Sequence, residues 1–408
     1  MWIGIEGGRC IRLAKWHLML LLGAWLYLAS PAHAEESSDS LPLEVHGFVS
    51  QGFVKTTKNQ YLANSERGSF EFAEVGLNVT KTLTDRLRVG MQLFMRDLGP
   101  IGNYKPQFDW FYLDYRFRDW FGVRAGRTKV PFGLYNETND VDSGRVPILL
   151  PQSVYPIQNR DYLLAQTGTE VYGLLPFPGA GALEYRLYGG TIYLDNASSQ
   201  TTIPKLNVPY VVGGRLMWQT PLDGLQIGGS VQALRLDLTF VPPAAAVAAG
   251  QMAGTVPADF KGTVDVRYPI LLWVGSLEYQ AGDWLFAAEY SRWHPNVESS
   301  HPALVPTTNP VSERLYGMMS WHVAPWFTPG AYYSLHFPDM EKRSGRAASQ
   351  HDVAATLRFD INPYWLLKVE GHFMHGTAVL SSSLNDNQPL DKLARDWGVL
   401  LLKTTAYF

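Results

Sequence analysis

The 408-residue chain carries 34 Lys and Arg against 37 Asp and Glu, and a single cysteine. That near balance argues against a nucleic-acid partner, which needs a basic patch, and Cys10 alone excludes a disulfide framework and a thiolate metal site. Past the N-terminus no apolar run reaches the roughly 18 residues a membrane-spanning helix needs, yet 13 Trp, 21 Tyr and 19 Phe are spread along it.

The first 34 residues have the layout of an export signal: Arg9, Arg12 and Lys15, an apolar run Leu18 to Ala29, and the small-x-small site Ala32-His33-Ala34. The alternative, an uncleaved N-terminal anchor, is disfavoured because the apolar run is short for a span. Cleavage before Glu35 removes Glu6 and the three cations, leaving 31 basic and 36 acidic residues, a net charge of −5. A polar linker, residues 35–42, follows.

From Leu43 to Phe408 the chain repeats one unit, an alternating apolar–polar segment and then a break. Short breaks rich in Asp, Gly and Pro fall at Thr82–Asp85, Arg118–Trp120, Pro176–Gly181, Thr220–Gly224, Ala281–Asp283, Ala324–Pro325 and Asn362–Pro363. Long breaks fall near residues 56–68, 98–106, 130–166, 195–208, 241–267, 295–311, 338–349 and 380–392. Seven short and eight long breaks separate sixteen strands. The fold class expected is therefore all-β: a transmembrane antiparallel barrel of about 16 strands, with short periplasmic turns and long extracellular loops. Closure matters because lipid offers backbone N–H and C=O groups no partner, and a closed barrel has no free edge.

The strand faces support this. Leu87, Val89, Met91, Leu93 and Met95 oppose Arg88, Gly90, Gln92, Phe94 and Arg96; Val353, Ala355, Leu357 and Phe359 oppose Asp352, Thr356, Arg358 and Asp360. Alternation alone would suit a half-buried soluble sheet. Arginines on the polar face, at Arg88, Arg96, Arg116, Arg124, Arg186 and Arg215, call instead for a wet lumen. Aromatic residues gather at the short breaks (Trp120, Phe121, Phe177, Trp218, Trp284, Trp326, Trp365), where an interfacial girdle belongs. The strand Leu225 to about Phe240 shifts phase near Leu234, which suggests a bulge or a strand boundary.

The break at 130–166 is long for a structureless segment, which points to a functional loop, here one folded into the barrel mouth. It offers Glu137, Asp140, Asp142 and Asp161 beside Arg145 and Arg160, and if it folds inside, its acids are expected to face the wall arginines. Opposed charges across a narrow channel would set a transverse field; equally, the same groups would pin the loop to the wall, and the two roles are compatible. Strict alternation from Phe121 turns Arg127 and Lys129 toward lipid unless Gly126 hosts a bulge. His372 and His375, three apart on a strand, face opposite sides and share no metal; the remaining histidines read as satisfied strand residues. No phosphate loop or nucleophile elbow is present, so neither a catalytic activity nor a cofactor is expected.

The run Arg124-Ala-Gly-Arg-Thr-Lys-Val-Pro-Phe-Gly-Leu-Tyr-Asn136 resembles the Gly-x-x-Lys-x-Pro-Phe-Gly stretch of phosphate-selective-type outer-membrane porins, and Val146–Pro156 is similar to uncharacterised members of that group. The resemblance implies a sixteen-stranded channel, a homotrimer, and a third loop at the constriction. It does not carry phosphate selectivity, because the 130–166 loop holds no lysine and is rich in acids. The function expected is passive diffusion of small hydrophilic solutes or ions across the outer membrane, among lipid and lipopolysaccharide. Rivals are a plugged structural or adhesive barrel, a barrel enzyme, and a transporter for an apolar compound, the last opposed by the inward arginines.

Overall fold

The computed structural model describes residues 43–193, 203–260 and 262–408, with the backbone alone at 159, 161 and 162. The expected signal and linker lie outside the described residues. Sixteen long antiparallel strands and one stub make a single sheet: β1 Leu43–Thr56, β2 Phe72–Thr84, β3 Leu87–Leu98, β4 Gln107–Arg118, β5 Phe121–Lys129, β6 Ala165–Phe177, β7 Gly181–Ile192, β8 Lys205–Gln219, β9 Leu225–Phe240, β10 Val264–Ala281, β11 Trp284–Pro295, the stub β12 Glu298–Ser299, β13 Ser312–Trp321, β14 Phe327–Phe337, β15 Gln350–Asn362, β16 Trp365–Gly376 and β17 Asp396–Tyr407.

Each long strand pairs with the long strands next to it in sequence, the stub β12 pairs with β10, and β1 also pairs with β17, from Phe48 opposite Tyr407 to Thr56 opposite Val399. The sheet is thus a closed barrel with no unpaired edge. The seam is completed by the last residue: Phe408 N–H donates to the Gly47 carbonyl at 3.0 Å, and Gly47 N–H donates back at 3.1 Å.

Alternation decides which side chains face in. On β15, Asp352, Ala354 and Thr356 are buried while Val353, Ala355 and Leu357 are exposed on the outer wall. On β17 the buried set is Trp397, Val399, Leu401, Lys403 and Thr405. Exposed rings at the short-turn end include Trp120, Phe177, Trp218, Trp284, Trp321, Trp326 and Trp365, with Trp284 and Trp321 stacked 5.1 Å apart across adjacent strands.

Two strands depart from the sequence reading. β9 pairs with β10 without a slip from Leu225 to Phe240, and the irregularity expected near Leu234 lies on its other side, where the pairing with β8 shifts register between Asn207, opposite Asp237, and Tyr210, opposite Arg235. Its apolar residues change sides because the lumen changes character: Ser230 and Gln232 face in among polar groups, and above them Leu234, Leu236 and Leu238 face in around an apolar cavity. A further irregularity falls on β4, where Gln92 pairs with Trp110 but Leu93 pairs with Phe108. The extra residue, Asp109, is buried. A bulge leaves two residues opposite one and re-aims a side chain, here bringing both Asp109 and Trp110 into the lumen.

Between β5 and β6 the chain makes three 3₁₀ turns, Asn136–Thr138, Asp142–Gly144 and Ile157–Asn159, and one helical turn, Arg160–Leu163. Its apolar side chains enter two buried clusters with inward strand residues. Val130, Phe132, Tyr135, Leu150, Val154, Tyr155 and Leu163 meet β7 to β11 and β13, through residues such as Tyr188, Leu234, Leu272, Trp293 and Tyr316. Ile148 and Leu149 meet Val54, Phe72, Met374, Trp397 and Leu401 on the opposite side.

Candidate functional site

The loop leaves the wall at Lys129. Gly126, three residues earlier, has φ +130°, and a Cβ there would lie 2.4 Å from the Phe111 carbonyl oxygen, so only glycine fits. Pairing across it is nevertheless regular, Tyr112 opposite Gly126 and Phe111 opposite Arg127, with no bulge. Arg127 Nε donates to the Asp109 carbonyl at 2.9 Å. Lys129 turns inward because the strand ends there: its Nζ donates to the Glu137 carbonyl at 2.7 Å and pairs with Asp140. Val130 N–H to Leu164 C=O, 2.8 Å, closes the neck.

The first leg crosses to β9, β10 and β11. Gly133 N–H donates to Ser230 Oγ at 3.0 Å, Tyr135 O–H to Glu278 at 2.7 Å, and Leu134 N–H to Glu289 Oε1 at 2.9 Å. Glu289 is buried and also accepts from Ser276, Tyr155 and Tyr316. Four donors on one carboxylate satisfy a group that burial would otherwise penalise. Gly133 at φ +65° leaves no room for a Cβ, which would fall 2.4 Å from the Tyr155 hydroxyl and 2.7 Å from Glu289 Oε1.

Loop acids then meet wall cations. Glu137 pairs with Arg186 and, at 3.2 Å, with Arg215; these continue into a wall network in which Arg186 and Arg124 hold Glu170, Arg124 holds Asp114, and Arg215 holds Glu184. Asp140 takes Lys129 and a 2.8 Å hydrogen bond from Gln92. Asp142 lies 2.7 Å from Lys403, 3.2 Å from Arg145 and 3.8 Å from Lys368, and accepts from Thr405 at 2.7 Å. Burial opposes charge on all three acids and the cations outweigh it: Lys129 and then Arg160 bring Asp140 down to about 2, Lys403 and Lys368 hold Asp142 well below the usual range, and Arg186 and Arg215 lower Glu137.

The second leg reverses the polarity. Glu370 on β16, buried and bonded to His372 at 3.0 Å, accepts backbone N–H bonds from Ile148 at 2.6 Å and Leu149 at 2.9 Å. Lys368 Nζ donates to the carbonyls of Asp142 and Arg145, both 2.8 Å, and Arg358 to that of Ser143 at 2.8 Å. Arg314 Nη1 donates to the Ser153 carbonyl at 2.8 Å. Arg160, bidentate on Asp109 at 3.0 and 2.6 Å, returns the chain to the wall beside its origin.

Of the residues singled out in the sequence, the structure gathers Glu137, Asp140, Asp142, Arg145, Arg160, Arg124, Arg186 and Arg215 in or around the loop. Arg88 and Arg116 lie apart, exposed near the short turns, Arg88 on Tyr112 at 2.8 Å and Arg116 lining a cavity of about 400 Å³ with Arg124, Glu184 and Arg186. Arg96 is buried near the opposite end of β3. The Asp161 side chain lies outside the described residues. Sequence reasoning missed Asp109, Glu289, Arg314, Lys368, Glu370 and Lys403, and set Arg358 on the polar face without giving it a role. A period-2 signal existed for some of them, since Lys368, Glu370 and His372 share a face, as do Lys403 and Thr405.

No family model matches the chain, and no curated protein matches it by sequence. Solved structures do resemble it. OmpT, an outer membrane protein of Vibrio cholerae, aligns over 91% of this chain and 99% of its own at TM-score 0.57 and 12% identity. OmpF of Salmonella typhi, in complex with daunomycin, aligns over 92% and 100% at 0.54 and 14%. An anion-selective porin from Comamonas acidovorans aligns over 90% and 99% at 0.52 and 11%. At such identities the likeness is one of fold: an outer-membrane-type barrel.

Proposed function

We propose that this chain is an outer-membrane channel of the porin type, through which small hydrophilic solutes or ions pass by diffusion around the loop Val130–Leu164. The observation carrying the reading is the inward wall: a closed barrel with arginines, lysines and carboxylates on its lumenal face, which need water or counter-charge, and a loop drawn among them. Kinship with phosphate-selective-type porins is part of the proposal and rests on the stretch Gly126–Gly133. The loop is the constriction, the long connections face outward from the cell, and lipid with lipopolysaccharide covers the apolar outer face. Homotrimeric assembly follows from the same resemblance.

Ion selectivity in this reading comes from the balance of Glu137, Asp140 and Asp142 against Arg124, Arg186, Arg215, Lys368 and Lys403. Glu137, Asp140 and Asp142 are each already paired, so the loop is pinned, and the field at the constriction is the residue of that cancellation. A specific observation favours a second reading, the plugged barrel: the loop is bonded to β9–β11 on one side and to β16 and β17 on the other. Single-channel recording of the purified protein in a planar bilayer under a salt gradient decides between them. Fixed conductance steps, in groups of three, support the channel; silence from folded, heat-modifiable protein supports the plug.

A further inference from the structure

Above the loop, toward the long connections, lies a cavity of about 780 Å³ unlike the polar lumen below. Its wall is the inward face of β9 and β10, with Leu234, Leu236 and Leu238 beside Tyr268 and Ile270, and its floor includes Leu163. The segment between β11 and β13 contributes Leu304, Val305 and Pro306. An inward-facing leucine ladder has no use in passing water or salt, and such a surface is stabilised by an apolar occupant.

One side of the cavity is polar and unsatisfied. Arg314 and His336 face each other across β13 and β14 and both line it. Arg314 is 8% exposed and makes no ion pair among the described residues; Nε donates to Ser312 Oγ, Nη1 to the Ser153 carbonyl, and the guanidinium lies 3.5 Å from the Trp293 ring centre. His336 and Trp293 are each 9% exposed, and among the described residues both His336 nitrogens and the Trp293 indole N–H lack a hydrogen-bond partner. A buried cation without counter-charge, beside unpartnered ring nitrogens, is costly unless an anion completes it. Arginine is the side chain whose planar fork matches a carboxylate.

We propose that this cavity binds an amphiphilic carboxylate, its apolar body against Leu234, Leu236, Leu238 and Ile270 and its carboxylate at Arg314 and His336. The inference needs the barrel fold but not ion conduction, so the two stand or fall separately.

The test uses the purified protein in lipid nanodiscs, with octanoate as probe, octan-1-ol as its uncharged counterpart, and protein-free nanodiscs to subtract partitioning. Calorimetric titration is expected to show saturable octanoate binding, with octan-1-ol weaker by roughly tenfold or more, as loss of a charge-assisted contact implies. Arg314→Gln should weaken octanoate by a similar factor and leave octan-1-ol unchanged, which a merely structural arginine would not do. If that variant fails to fold, His336→Leu carries the same comparison with a smaller expected loss. Equal binding of acid and alcohol, no saturable octanoate signal, or folded variants that bind octanoate like the parent would overturn the proposal. Conductance in potassium chloride, measured on the same preparation, separates the readings: silence with octanoate binding intact sinks only the diffusion channel, and conductance without octanoate binding sinks only this site.

Discussion

Lys403 on β17 places its ammonium 2.7 Å from Asp142 Oδ2, although Asp142 belongs to a loop that leaves the wall at β5. The strand that seals the barrel against β1 therefore also anchors the loop that crosses it. Barrel closure and docking of the loop are one construction, and a change at the seam reaches the lumen.

Replacing Lys403 with Met should loosen that anchor. Removing one partner of a buried pair costs about 3–5 kcal/mol; Arg145 and Lys368 remain beside Asp142, but Glu74, 2.6 Å from the same ammonium, also loses its partner, so a loss within that range is expected. A fall in the urea midpoint of the folded barrel, with new tryptic cleavage at Arg145, would bear this out. An unchanged midpoint and an uncut loop would mean the pair contributes nothing to docking.

Exchanging Glu137, Asp140 and Asp142 together for their amides leaves Lys129, Arg186, Arg215, Lys368 and Lys403 without these counter-charges. Reversal potential in a salt gradient should then move toward anion preference. If it does not move, the three acids lie away from the ion path and only pin the loop.

Acid should release the loop late. Asp140 has its folded value depressed from 3.8 to about 2, so its contribution is fully present above the ordinary carboxylate value and is lost as pH falls through the folded one. Asp142 and Glu137 are shifted in the same direction. Limited pepsin digestion should accordingly spare residues 130–164 at pH 4 and cut them near pH 2; cleavage already at pH 4 would contradict the shifts.

Gly133, the last residue of the Pro-Phe-Gly motif, holds φ +65° against Tyr155 and Glu289. Alanine there incurs about 1–2 kcal/mol of left-handed backbone strain and displaces the hydroxyl that Leu134 and Tyr135 donate to. Lower thermal stability and noisier conductance are expected of Gly133→Ala, while Gly144→Ala, whose Cβ would meet nothing nearer than 3.8 Å, should behave like the parent.

The sequence by itself determined the barrel, because side chains on a strand alternate with a period of two and tight turns demand particular residues; both are local constraints, legible one segment at a time. It marked the same strands, faced Arg88, Gln92 and Arg96 inward, and singled out the stretch that becomes the loop. It also marked the loop acids, since charge in a long break is conspicuous without any partner in view.

Partners are what the tertiary structure alone decided. Asp142 finds lysines rather than the wall arginines, because barrel closure brings β16 and β17 to the loop's far turn. Leu234 looked like a phase error, for alternation cannot say that the lumen is polar at one height and apolar at another. Asp109 enters the lumen through a bulge that shifts register by one residue, and Lys129 because its strand ends. His336 read as one more satisfied strand histidine, yet only its pairing opposite Arg314, above a floor supplied by a loop from the other side of the barrel, leaves both its nitrogens without a partner. Contacts of that kind depend on which strands closure makes neighbours at which height, and no local pattern encodes that.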